Sequence, residues 1–123
     1  MPTTRLVIYQ DMDGAAPLLD WLSEQTDRVR AKCRSKLERL RQFGNELRRP
    51  DCDYLRNGIY ELRARDGNVH YRILYGFVGQ HIVLLSHGCT KERAIPNREI
   101  ERAVKNLAMF KGNPVAHTAQ GGF

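Results

Sequence analysis

Between residues 61 and 72 the sequence reads ELRARDGNVHYR, with charge at alternate positions on either side of an Asp-Gly pair. Glu61, Arg63 and Arg65 precede the pair, and His70 and Arg72 follow it. Side chains alternate across a strand, so these five share one face of a hairpin. Arginine presents a planar fork of permanently charged donors that matches phosphate, and it also stacks on a base. A phosphodiester cleaved by its own 2′-hydroxyl passes through a dianion-like phosphorane, which such a group of arginines stabilises electrostatically. The hydroxyl proton needs a base that titrates near neutrality, and His70, His87 or the following Lys91 could serve. The same residues also read as a solvent-facing strand surface, tied by cross-strand pairs such as Glu61–Arg72. Glu61 is the awkward member: a carboxylate sits in an anion site only when an arginine pairs with it.

The turn sets which residues meet. Asp-Gly between alternating runs is a strong hairpin signal, because both central residues take φ > 0. With Asp66-Gly67 as the loop, Arg65 opposes Asn68, Arg63 opposes His70 and Glu61 opposes Arg72. Tyr60, Leu62, Ala64, Val69, Tyr71, Ile73 and Tyr75 then form the core face. A second two-residue turn, at Val78-Gly79 or Gly79-Gln80, leads into HIVLLSH and sets His87 beside His70 or Arg72. In that register Ile82 and Leu84 join the core, while Leu74, Val83 and Leu85 lie at the far end of the charged face. The last helix is expected to cover that far end and to leave the arginine end open.

The remaining elements carry weaker signals. Thr4 to Tyr9 is a short β-rich run that reads as a first strand. Pro17 suits the first turn of a short helix with Leu18, Leu19, Trp21 and Leu22 on its apolar side. Thr26 is a candidate N-cap for a second helix, in which Val29, Cys33, Leu37 and Leu40 form one stripe and Gly44 ends the run. Pro96 opens a last helix with Ile100, Val104 and Leu107 on its apolar side. The order is α+β, with an antiparallel sheet meander following two helices. Residues 112–123 lack periodicity and are expected to be frayed or disordered, which leaves residues 1–111 as the domain and His117 without a role.

Length and composition agree with one small globular domain: 123 residues, 41% hydrophobic and 28% charged. No apolar run approaches the roughly 20 residues of a membrane span. Cys33, Cys52 and Cys89 are an odd number with no CxxC spacing, which points to reduced thiols in a cytoplasm rather than to disulfides or a zinc site. No metal or other cofactor is expected. The net charge of +6 is uneven. Residues 28–49 hold nine basic residues against two acids, and Arg30, Arg34 and Arg41 lie off the apolar stripe of the second helix. A polyanion or an acidic protein is the partner such a block suits, and a solvated helix face is the plainer alternative.

GIYELRARDGNVHYRILYGF and IVLLSHGCTKERAIPNREIERA together resemble the RelE/ParE superfamily of toxin–antitoxin toxins, most nearly its phage-derived, HigB-like branch. The most specific parts are Glu61–Arg63, Tyr71–Arg72 and the Lys91–Pro96 stretch. The resemblance implies a compact sheet with a helical hairpin on one face and the last helix on the other. It also implies a metal-independent endoribonuclease that cuts mRNA on the ribosome, and a small antitoxin partner, often with a helix-turn-helix. Arg63 and Arg72 match arginines of the concave sheet in such toxins, and Lys91 matches a basic position after the last strand. Lys91 is followed by Glu92 rather than by a second lysine, and no terminal tyrosine is present to stack a base.

On this reading Arg63 and Arg72 hold the scissile phosphate, Lys91 adds charge or acts as acid, and His87 is the preferred base. Arg65, His70 and Arg93 contact RNA, and Arg30, Arg34 and Arg41 grip ribosomal RNA. A toxin that binds DNA gyrase and an inactive phage-derived relative are the alternatives.

Overall fold

The computed structural model describes residues 3–91 and 93–122, with Lys91 described by its backbone alone. Its elements are β1 (Arg5–Ile8), α1 (Pro17–Ser23), α2 (Asp27–Phe43), β2 (Cys52–Arg56), β3 (Ile59–Asp66), β4 (Val69–Val78), β5 (Ile82–Lys91) and α3 (Asn97–Gly112). One sheet runs in the order β1-β5-β4-β3-β2. The fold is α+β, as expected, but the sheet is mixed rather than antiparallel. β1 pairs parallel with β5, Arg5 beside Ile82 and Ile8 beside Leu85. No turn joins these two strands, so nothing local in the sequence encodes their direction.

α1 and α2 cover one face of the sheet. Leu18, Leu22, Val29, Cys33, Leu37 and Leu40 bury there against Leu62, Ile73, Tyr75, Val83 and Leu85. The hydroxyl of Thr26 accepts from the Val29 amide at 3.2 Å, the N-cap that the sequence marks. α3 covers part of the other face, where Ile100, Ala103, Leu107 and Phe110 bury against Ile59, Leu74 and Leu84.

β2 is absent from the sequence reading. CDYLR is short and half polar, but Asn57-Gly58 behind it is a two-residue loop with φ of 53° and 81°. Those angles are the primed-turn signature, and they join Arg56 to its partner Ile59.

Both later turns differ from expectation. The β3–β4 loop is Gly67-Asn68, with φ of 60° at Gly67 only, so Arg65 faces His70, Arg63 faces Arg72 and Glu61 faces Leu74. The slip is two residues, which moves partners and preserves faces. The β4–β5 loop has three residues, Gly79 to His81, so Val83 and Leu85 turn toward α1 and α2, whereas Ile82 and Leu84 turn toward α3. This reverses the expected assignment of all four. A bulge at Ser86 then restores the parity, setting His87 opposite Leu74, Cys89 opposite Arg72 and Lys91 opposite His70.

The C-terminal segment, expected to fray, packs against the end of β1. Thr118 bridges Tyr9, and the Ala119 amide donates to the Ile8 carbonyl at 2.8 Å. His117 is 1% exposed and stacks on Tyr9 with ring centroids 5.4 Å apart. The segment has no period because its partners lie at the other end of the chain.

Candidate active site: an arginine face on the sheet

Three rows of cross-strand neighbours lie on the α3 face of β3, β4 and β5. They are Arg65–His70–Lys91, Arg63–Arg72–Cys89 and Glu61–Leu74–His87. The third row runs under α3 and the first two lie beyond it, so the helix leaves the arginine end clear, although Arg72 and Cys89 stay buried there by other contacts. Two arginines directly opposite one another on one face repel. Glu61, one step along the same face of β3, answers both of them: its Oε1 accepts from Arg63 Nε, and its Oε2 lies 3.6 Å from Arg72 Nε. A carboxylate that is 3% exposed needs such partners, and the awkward residue of the sequence is the keystone of the pair.

The chain of charges runs on toward β2. Asp53 Oδ2 accepts from Arg63 Nη2 at 3.4 Å and from Arg49 Nη2 at 2.7 Å. Arg49 holds the Asp53 carboxyl below its ordinary range, with Arg63 adding to the effect. The full order is therefore Arg72, Glu61, Arg63, Asp53, Arg49. Sequence reasoning missed Asp53 and Arg49. The Asn57-Gly58 turn signals β2, but its register alone would set Asp53 opposite Leu62, and the bulge between Tyr54 and Arg56 brings it opposite Glu61.

The two arginines are not equally open. The Arg63 side chain is 36% exposed and Arg72 only 10%. Arg72 Nη1 donates to the carbonyl of Arg93, so the segment after β5 folds over it. The Arg93 side chain itself is exposed, as is Arg65, whose Nε donates to the Gly67 carbonyl at 2.7 Å. His70 is half-buried between Arg65 and Lys91. The side chain of Lys91 lies outside the described residues.

The structure does not bring His87 together with these groups. It is 1% exposed in the covered row, and its Nδ1 meets Ser86 Oγ at 2.8 Å. Asn106 donates to that same hydroxyl at 3.0 Å. The His87 Nε2 stands 3.7 Å from Glu99, beyond hydrogen-bond length. Burial pushes its pKa down to about 4, with Arg102 nearby adding to the effect, so the ring is neutral at neutral pH.

The basic block of α2 is largely matched within the molecule. Lys36 and Arg39 clamp the buried Asp51 at 2.6 and 2.9 Å, and Lys36 above all holds that carboxyl below its ordinary range. Arg28 and Lys32 meet Asp66. Arg30 pairs with Asp27 and Arg41 with Glu38 along the helix. Arg34 is exposed and has no ion pair among the described residues. Cys33 is 1% exposed, and burial raises its thiol to about 11, which makes it an inert core residue.

Among the described residues no group of three or more His, Cys, Asp and Glu is placed to hold a metal ion, and no helix is long and apolar enough to cross a membrane.

Fold and site together define a small α+β protein with an arginine-lined, partly open sheet face. The family model for phage-derived Gp49-like proteins (DUF891) matches residues 20–108, and the chain belongs to that family, which is associated with RelE- and toxin-like proteins. A comparison with curated proteins finds no match.

Proposed function

We infer that this protein is the toxin of a toxin–antitoxin pair, of the HigB-like branch of the RelE/ParE superfamily, and that it cleaves mRNA on the ribosome without a metal ion. The observation that carries this reading is the direct opposition of Arg63 and Arg72 on the arginine end of the sheet, with Glu61 hydrogen-bonded to Arg63 and 3.6 Å from Arg72. Two helices on one face and one on the other agree with the arrangement the resemblance implies.

The chemistry follows from the rows. A phosphate seated at Arg63 and Arg72 brings its ribose within reach of the neighbouring row. His70 there accepts the 2′-hydroxyl proton, a role it takes in place of the sealed His87. The 2′-oxygen attacks phosphorus, and the arginine forks stabilise the added charge of the phosphorane. The bond to the 5′-oxygen breaks as Lys91 supplies a proton, leaving a 2′,3′-cyclic phosphate and a free 5′-hydroxyl. The partners are the ribosome with its message and a small antitoxin, all in the cytoplasm.

Induced expression tests this directly. Growth arrest that the adjacent open reading frame relieves, with messages cut inside reading frames, is the expected result. DNA-damage signalling with intact messages would instead identify a gyrase poison, and normal growth an inactive relative.

A further inference from the structure

The charge chain ends at a second feature that the proposed chemistry does not use. At the β2 edge lies a cleft of about 470 Å³, lined by Arg48, Arg49, Asp53, Tyr54 and Tyr60 among others. Tyr54 is 53% exposed, yet its ring is held in place. Its hydroxyl accepts from the Gly58 amide at 3.0 Å, and its ring meets Tyr60 at a steep angle, 5.0 Å between centroids. Tyr60 in turn stacks on the buried Tyr75. A rigid aromatic surface loses little freedom when a flat ligand stacks on it. Beside it, among the described residues, Arg48 has only carbonyl partners, those of Asn45 and Leu47, and no carboxylate neutralises its charge there.

The geometry points to a subsite for the nucleotide next to the scissile phosphate, its base stacked on Tyr54 and its phosphate on Arg48 and Arg49. The subsite rests on the RNA-cleaving reading and extends it. Arg72 and Asp53 lie two strand spacings apart, roughly 10 Å, and Arg63 with Arg49 marks the path between them. Asp53 faces the arginine side and Tyr54, the next residue, the other side, so the RNA chain would turn over the β2 edge. A single aromatic ring set among arginines suits a base and its phosphate. A protein partner would call for a contiguous apolar patch, and the other exposed large apolar residues, Met12, Phe43, Met109 and Val115, do not line this cleft.

The test is binding of a fluorescein-labelled, 2′-O-methylated oligouridine, which cannot be cut, to the full chain. Tyr54→Leu should weaken binding about tenfold, and Tyr54→Trp should stay within about twofold of the parent. Arg48→Gln with Arg49→Gln should lower the log–log salt slope by about one. Should Tyr54→Leu fail to fold, RNA should still quench Tyr54→Trp emission beyond any change the parent shows at Trp21. Parent-like affinity of a folded Tyr54→Leu, no binding by the parent, or no extra quenching overturns the subsite. So does a Tyr54→Leu variant that keeps RNA affinity but loses the product of the adjacent reading frame. If the parent binds this oligomer and Tyr54→Leu weakens that binding, but the parent cuts no message on the ribosome, the cleavage reading falls and the RNA-binding site at Tyr54 stands. If the parent cuts and Tyr54→Leu binds as the parent does, the reverse holds.

Discussion

His70 and His87 sit on the same face of the same sheet, one row apart from the arginine pair on either side. One stands at the uncovered end between Arg65 and Lys91, and the other lies sealed under α3 against Ser86. Their strand positions alone make them equivalent. What separates them is the helix above: cover removes water, favours the neutral ring and closes the path to a substrate. A histidine's chemistry in this molecule is decided by the third layer rather than by its strand.

The largest expected effect breaks the arginine end. Arg72→Ala leaves Glu61 buried with one partner fewer, and loss of one member of such a pair costs about 3–5 kcal/mol. Denaturant titration should show that loss alongside lost toxicity. Arg63→Ala removes the hydrogen bond to the buried Glu61 and should lose toxicity at a cost of about 1–3 kcal/mol. Equal stability losses would mean that the stranded Glu61, rather than the burial of Arg72, sets the cost.

The covered end is read by pH. Unfolded, the His87 ring takes a proton near pH 6.5, and folded only near pH 4. Between these values the unfolded state binds more protons, so stability falls with pH from about 6.5 to about 4 and the contribution then levels off. The loss amounts to roughly 3 kcal/mol. The difference between the parent and His87→Leu across that window isolates it, and parallel curves would remove His87 as the cause.

The uncovered end answers in activity. His70→Ala should keep stability within about 0.5 kcal/mol and lower RNA cleavage about a hundredfold or more. His87→Leu, corrected for its folded fraction, should cut at nearly the parent rate. The opposite ranking would hand the base back to the sealed ring.

The smallest stability effect belongs to α2. Replacing Arg30, Arg34 and Arg41 with Gln removes two exposed helical pairs and should cost under about 1 kcal/mol. Ribosome binding should nonetheless weaken and become less salt-dependent. Unchanged ribosome binding with escape from the antitoxin would assign that helix face to the antitoxin instead.

The sequence made the helices legible through their caps and stripes, and the arginine face through its alternation. Alternation fixes which face a residue takes, so a two-residue slip at Gly67-Asn68 left Glu61, Arg63, Arg65, His70 and Arg72 together. It does not fix partners, and the slip turned an expected Arg63–His70 neighbour into Arg63–Arg72. β5 was harder, because a longer loop and a bulge cancel in parity beyond Ser86 and not before it. No local pattern announces both. Asp53 stayed hidden because β2 has no clean period, and the covering of His87 because helix packing is long-range.

The segment around Thr118 and Ala119 has a consequence for handling the molecule. β1 is one of the two outermost strands, and an outermost strand with open amides and carbonyls is a template for adding foreign chains. At its Ile8–Tyr9 end that template is occupied by the molecule's own C-terminal residues. A truncation after Gly112 would strip this shield and bare the Tyr9 ring that His117 covers, leaving a strand that recruits its own copies into aggregates. The chain ending at Gly112, shorter by eleven residues that carry none of the chemistry, should therefore sediment as aggregates where the full chain stays in solution.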